Sequence, residues 1–383
     1  MKIWYLSRTY LPEKTGGALI RIAQVDFFRS QGAEVVVVAP DYSGHDRDVS
    51  ELGVRLPYRK ARIRLDQIFE RLGLYEDYLD RWVDNTLTLL KDRVRKGDYV
   101  FATSGGELGC IKLGSRLKDM VGCRFVVNLH DPVDYTRVSG RKINNIPHVD
   151  RERQERKYLK NADLVITSSR SNQTSLTEKY PEMAARIRCS YFGFITKAKL
   201  REKAPSTELT IVYGGTYDKN QSPELLAQAV HGIDNVEAHF VGNHAAYKPL
   251  DFARANQRNC RFINQLSYPD FLRYLTEHAD MGFVSLASPY LGACVPSKMF
   301  EYINIGLPIF GALPAGDARE IVNGSSYGVA CEFDKVRAQR EAILEITADK
   351  RILETYRQQI LRDRDDWFMP ARMREVYKWL RDL

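Results

Sequence analysis

In the stretch VPSKMFEYINIGLPIFG, residues 295–311, a proline, a serine and a lysine stand where a short helix would begin, and Glu301 follows Lys298 at a spacing of three. The apolar run MGFVSL and the loop ASPYLGAC precede it, which puts the start of that helix at the carboxyl end of a strand. Backbone N–H groups without helical partners, together with the helix dipole, favour an anion at such a point, and a phosphate suits it. Pro296 and Ser297 would open the site, and Lys298 would add a mobile positive charge. Glu301 falls in the second turn, past the strongest positive field, where a carboxylate is better suited to accept hydrogen bonds from two sugar hydroxyls. The alternative is a surface helix with an incidental lysine–glutamate pair worth roughly a few tenths of a kcal/mol.

A second stretch, IVYGGTYDKNQSPELL, places Gly214 and Gly215 directly after a strand, Lys219 within reach of their loop and Pro223 at a helix start. Glycines let a backbone approach a diphosphate closely, and a nearby lysine can neutralise the charge that develops on it. The pattern is not a Walker loop, and an ordinary turn with a solvated lysine is the alternative. Near the amino terminus, YLPEKTGGALIRIAQ offers Gly16 and Gly17 at a helix entry with Arg21 just inside. The loop before them is too long for a dinucleotide fingerprint and G-x-G-x-x-G is absent, which argues against a dehydrogenase. VVNLHDPVDYT ends an apolar strand with His130 and Asp131, and ATSGGELG ends another with Ser104, Gly105, Gly106 and Glu107. Titratable groups at such ends face a ligand more often than a core, with helix capping as the alternative for Asp131.

The elements that must position these residues alternate between short β-rich runs and helix-period segments, the mark of βαβ units on parallel sheets. Strands are expected at 2–6, 34–38, 99–103, 125–129, 164–168 and 189–192, and again at 209–213, 238–241, 261–263, 281–286, 308–311 and 328–331. The polar segment 196–208, TKAKLREKAPSTE, reads as an exposed linker between domains at 1–195 and 209–366. In the tail, Pro370 suits a first helical turn, and Met373, Val376, Tyr377 and Leu380 form an apolar stripe that must be buried against something. The fold class is α/β, with two Rossmann-like doubly wound parallel-sheet domains facing a central cleft.

Composition narrows the function. At 383 residues the chain exceeds one comfortable core, and it has no apolar run long enough to span a bilayer. Its start reads as a strand, not a signal peptide, so a cytoplasmic location is expected. The six cysteines form no C-x-x-C pair, and no metal motif appears, so no metal or other cofactor is expected. A net charge of +8 favours anionic partners, and the absence of a reader motif argues against nucleic acid.

Together, LPEKTGGALIR, NLHDP, ADLVITSS, YFGF, IVYGGTYDKNQSP, FVGN and PSKMFEYINIGLPIF, in this order and spacing over nearly the whole chain, resemble the GT-B glycosyltransferases and are most similar to the retaining family 4. The resemblance implies a nucleoside-diphosphate sugar donor held by the carboxyl-terminal domain, with Glu301 on the ribose. Lys219 and the Gly214–Gly215–Thr216 loop would bind the diphosphate, assisted by Gly242 of FVGN and by Pro296, Ser297 and Lys298. It places Gly16 and Gly17 on the diphosphate from the amino-terminal domain, His130 near the transferred sugar, and Arg21 and Glu107 on the acceptor side, and it implies that the final helix, 367–383, packs back on the first domain. Lys219 would stabilise leaving-group charge during transfer with retention, and Asp131 would be the base if transfer instead inverts. Two positions depart from the family: Ala293 stands where the first glutamate of E-x7-E is usual, and Thr216 and Tyr217 stand near the usual loop arginine.

For the acceptor, a glycan or a polyprenyl-diphosphate-linked sugar of surface polysaccharide synthesis is expected. Arg59, Lys60, Arg62 and Arg64 lie beside Leu65, Ile68, Phe69 and Leu72, a pattern that suits an anionic inner-membrane surface or, alternatively, a charged helix packed on its own domain. Two other readings share the scaffold: a non-hydrolysing nucleotide-sugar epimerase, which would change its donor without an acceptor, and a non-catalytic two-lobed binding protein.

Overall fold

The computed structural model describes residues 1–12, 16–42, 54–58, 60–133, 145–201 and 207–383. The chain forms two compact units, Met1–Tyr191 joined by Met373–Leu383, and Phe192–Arg372. Each is built on an all-parallel sheet.

The first sheet has seven strands: β1 Lys2–Leu6, β2 Glu34–Asp41, β3 Val54–Pro57, β4 Tyr99–Gly105, β5 Arg124–Asp131, β6 Leu164–Thr167 and β7 Ile187–Cys189, in the order β3-β2-β1-β4-β5-β6-β7. Strands such as VVVVA and YVFATS are apolar on both faces because helices cover both, as parallel crossovers require. The order reverses between β1 and β4, so the loops after these strands diverge there and leave room for a ligand at the carboxyl ends. A buried polar chain seats the helix Gly16–Ser30 on the sheet. Tyr5 donates to Gln24 Oε1 at 2.5 Å, and Gln24 Nε2 donates to Asn128 Oδ1 at 2.8 Å. The carboxyl-terminal helix Met369–Arg381 buries Met373, Val376 and Leu380, and its Tyr377 ring packs on Phe27 and Phe28 of the same unit.

The second sheet has six strands: β8 Leu209–Gly214, β9 Val236–Val241, β10 Cys260–Ile263, β11 Met281–Ser285, β12 Ile309–Ala312 and β13 Gly328–Cys331, in the order β10-β9-β8-β11-β12-β13. Its reversal lies between β8 and β11, the two strands whose following loops carry the glycine pair and the PSK segment.

Three differences from the sequence expectations have physical causes. β3 was not expected; it is an edge strand ending at Pro57, where the missing N–H costs the sheet nothing. β7 ends at Cys189, earlier than expected, because Gly193 and Phe194 leave the sheet to pair with the 367–369 segment. Phe194 N donates to Trp367 O at 3.0 Å, and Met369 N donates to Phe194 O at 2.9 Å. The described start of the expected linker is fastened to the second unit. Ala198 N donates to Asn304 Oδ1 at 3.0 Å, Arg201 N donates to Ile305 O at 2.8 Å, and the Arg201 guanidinium pairs with Asp280 at 2.6 Å. The second compact unit begins at Phe192.

Candidate functional site

In the second unit the helix Ser297–Ile305 starts after Pro296, which offers no side-chain cap to the first N–H groups. Its inner face buries Met299, Phe300, Tyr302, Ile303 and Ile305. The Tyr302 ring lies against Gly282 of β11, where an added Cβ would come within 2.5 Å. This apolar seating fixes the outer face, on which Lys298 and Glu301 stand one turn apart.

Lys298 is partly buried. Its Nζ donates to Gln221 Oε1 at 3.0 Å and lies 4.1 Å from the centre of the Tyr213 ring. A Cβ on Gly215 would lie 3.2 Å from that Nζ, so the ammonium sits against the glycine loop that ends β8. Burial pushes the Lys298 pKa down to about 7, only partly opposed by Asp218. Gly215 has φ +135° and Gly242, at the end of β9, has φ +133°, backbone conformations that favour glycine. They adjoin one another, since a Cβ on Gly242 would lie 3.4 Å from the carbonyl oxygen of Gly215. Thr216 and Ser297 are exposed at the same strand ends.

Glu301 accepts from the Tyr268 hydroxyl at 2.7 Å and from Asn304 Nδ2 at 3.5 Å. Burial raises its pKa, and these two hydrogen bonds work in the opposite direction. Asn304 is itself buried: Nδ2 donates to Thr196 O at 2.8 Å, while Oδ1 accepts from Arg364 Nη2 at 3.2 Å. Lys219 is exposed on the turn after β8 and offers its carbonyl to Ser222 Oγ at 2.8 Å, while the ammonium that packs on the glycine loop is that of Lys298.

In the first unit, Gly17, Arg21, Glu107, His130 and Asp131 converge. Gly16 and Gly17 begin their helix as expected, and a Cβ on Gly17 would lie 3.1 Å from Arg21 Nη1. Arg21 is buried and donates to Thr9 Oγ1 at 2.7 Å and to Thr103 Oγ1 at 3.3 Å. Burial, aided by Arg21 and Arg8, drives the His130 imidazole well below its usual pKa, so it is neutral at pH 7. Arg8, in the loop after β1, joins this group beside Glu107, yet nothing in its sequence neighbourhood marks it. Gln221 and Tyr268 were likewise not anticipated: Gln221 lies within the quoted IVYGGTYDKNQSP stretch without having been singled out, and Tyr268 stands at a helix start with no motif of its own.

Among the described residues no group of three His, Cys, Asp or Glu is placed to hold a metal ion.

No family model matches the sequence, and no curated protein matches it significantly. The comparison with solved structures decides the architecture. Sucrose-phosphate synthase from Thermosynechococcus elongatus superposes with a TM-score of 0.74 at 15% identity, covering 99% of this chain and 98% of that one. The chain has the GT-B fold. Two further GT-B structures match over comparable lengths. HepE of Anabaena, in complex with UDP-glucose, gives a TM-score of 0.67 at 16% identity and 100% coverage of both chains. The lipopolysaccharide outer core galactosyltransferase WaaB gives 0.69 at 11% identity, covering 100% of this chain and 99% of that one.

Proposed function

We propose that this GT-B protein is a glycosyltransferase that moves a sugar from a nucleoside-diphosphate donor to a glycan or lipid-linked acceptor in surface polysaccharide or glycoconjugate synthesis. The observation that carries the reading is the Lys298 ammonium lodged against the Gly214–Gly215 loop, at the start of a helix whose next turn presents Glu301. Backbone amides and one cation suit a diphosphate, and a carboxylate already oriented by a phenol suits the vicinal hydroxyls of a ribose. The UDP-glucose and UDP complexes of HepE support a donor of this class.

Catalysis would come from orientation and from stabilising the leaving diphosphate, with retention, the diphosphate itself taking the acceptor proton. Lys298 replaces Lys219 as the residue assigned to that charge. Neutral His130 would face the transferred sugar as a hydrogen-bonding group.

The helix Lys60–Arg71 supports docking on an anionic cytoplasmic membrane surface. Leu65, Ile68, Leu72 and Leu74 are exposed at 38%, 49%, 64% and 67%, next to exposed Arg64 and Arg71. Arg59 and the side chain of Lys60 lie outside the described residues. No helix among the described residues is long and apolar enough to cross a membrane.

The test is a thermal-shift panel of UDP- and GDP-sugars on the full chain, followed by nuclear magnetic resonance of the products with and without acceptor extracts. A donor at about a hundred times its dissociation constant should stabilise by about 2.7 kcal/mol. Conversion of the nucleotide sugar without acceptor would favour an epimerase, and no stabilisation by any member would refute the proposal.

A further inference from the structure

The carboxyl ends of β1 and β4 in the first unit hold a donor and an acceptor that nothing among the described residues satisfies. Glu107 is 3% exposed, and its two oxygens differ. Oε2 accepts from the Gly105 amide at 3.0 Å and lies 3.8 Å from Arg8 Nε, whereas Oε1 is buried with no hydrogen-bond partner among the described residues. Arg8 Nε is buried and unpartnered in the same way, although Nη1 of the same guanidinium donates to the Tyr78 hydroxyl at 3.2 Å. Gly105 forms the floor: a Cβ there would lie 3.5 Å from Arg21 Nη2, 3.6 Å from Glu107 Oε2 and 3.8 Å from Asp131 Oδ2.

The chemistry of this set is specific. Burial works against a charge on Glu107, but Arg8, Arg21 and the Gly105 amide outweigh it and hold the carboxyl below its usual pKa, so it is an ionised acceptor. Two guanidiniums then stand against two carboxylates, a balance that gives an anion no net attraction. A hydroxyl both donates and accepts, and it can meet an unfilled carboxylate oxygen and an unfilled guanidinium N–H together. Arg21 is already engaged by two threonines, so the unfilled N–H at Arg8 Nε is the donor such a hydroxyl would use.

We infer that Arg8 and Glu107 bind an uncharged, hydroxyl-bearing ring of the acceptor, with Glu107 Oε1 accepting from a hydroxyl that in turn accepts from Arg8 Nε. The inference rests on the glycosyltransferase reading and gives its acceptor side a residue, Arg8, and a chemistry, sugar hydroxyls in place of a phosphate or carboxylate.

The experiment uses the full chain and the methyl α-glycosides of glucose, galactose and mannose as probes, titrated by saturation-transfer nuclear magnetic resonance, with UDP, GDP and UDP-glucose measured separately by calorimetry. At least one glycoside should bind the parent, and Arg8→Met and Glu107→Gln should each weaken it about tenfold or more, because each leaves a buried partner unmet. Nucleotide affinities should stay at the parent value. Glycoside affinity unchanged in both variants, or no glycoside binding while a nucleotide binds, would overturn the inference. So would loss of UDP-glucose affinity with UDP unaffected, since the pair would then read the donor sugar. Failure of the parent to bind any nucleotide strikes the proposed function instead. Should Glu107→Gln not fold, Arg8→Met decides, because that side chain is 36% exposed.

Discussion

Replacing Lys298 with methionine should weaken a nucleoside diphosphate far more than replacing Lys219 with alanine. A hydrogen bond to a charged partner is worth about 1.5–3 kcal/mol, so the loss at Lys298 corresponds to roughly a ten- to 150-fold rise in Kd. Lys219, exposed and outside the glycine loop, should cost no more than about threefold. The pH dependence adds a second signature. With its pKa pushed down to about 7, Lys298 is mostly neutral above that pH in the free protein, and a bound diphosphate would raise the pKa again. Binding at about pH 8 should therefore take up a proton, and Kd should rise by up to about tenfold per pH unit above 7. Calorimetry with UDP and GDP in buffers of different ionisation heat measures that uptake directly. The same residue makes a stability prediction. In the unfolded chain a lysine titrates near 10.4, so between about pH 7 and pH 10 the unfolded state binds more protons than the fold, and stability rises with pH. Lys298→Met should consequently melt above the parent at pH 7, with the gap closing toward about pH 10. A variant that binds within about threefold of the parent, or a parent that takes up no proton at about pH 8, would refute the assignment of this lysine to the diphosphate.

Glu301→Ala should erase a preference for UDP over 2′-deoxy-UDP, or for the corresponding guanine pair, that the parent shows at about tenfold, because its carboxylate would no longer read the ribose hydroxyls; equal discrimination in both proteins would remove Glu301 from that role. Gly193→Ala should lower stability in urea by about 1–3 kcal/mol, since the added Cβ would sit 1.9 Å from the carbonyl oxygen of Trp367. Sedimentation with vesicles containing acidic lipid should carry the parent down at low salt but not a Leu65→Ser, Ile68→Ser, Leu72→Ser variant, and equal recovery of both in the supernatant would end the membrane proposal.

Periodicity carried most of the fold because buried parallel strands must be apolar on both faces, a signal as plain in VVVVA and YVFATS as in the structure. It missed β3, whose four residues at a sheet edge are too few to establish a period and end in a proline. At the candidate site, Gly214, Gly215 and Glu301 stand out in the sequence because glycine after a strand and a polar residue on a buried helix are both exceptional. That the Lys298 ammonium packs on the glycine loop was not legible from loop spacing. Lys219 is nearer in sequence to the glycine pair, but the turn closed by Asp218, whose carboxylate accepts from Asn220 N and Gln221 N, leaves Lys219 exposed and presents Gln221 to Lys298. Arg8 escaped notice for a related reason. Its role depends on Glu107, almost a hundred residues away, and only the β1–β4 pairing brings them together.

Asn304 gives the helix that bears Lys298 and Glu301 an unusual mooring. Its amide is tied to Thr196 and Ala198 on the chain entering the second unit and to Arg364 on the chain leaving it, and Arg364 in turn reaches the carbonyls of Ala198 and Asn304. The same helix therefore carries Lys298 and Glu301 toward its head and is fastened at its foot to the chain on both sides of its unit.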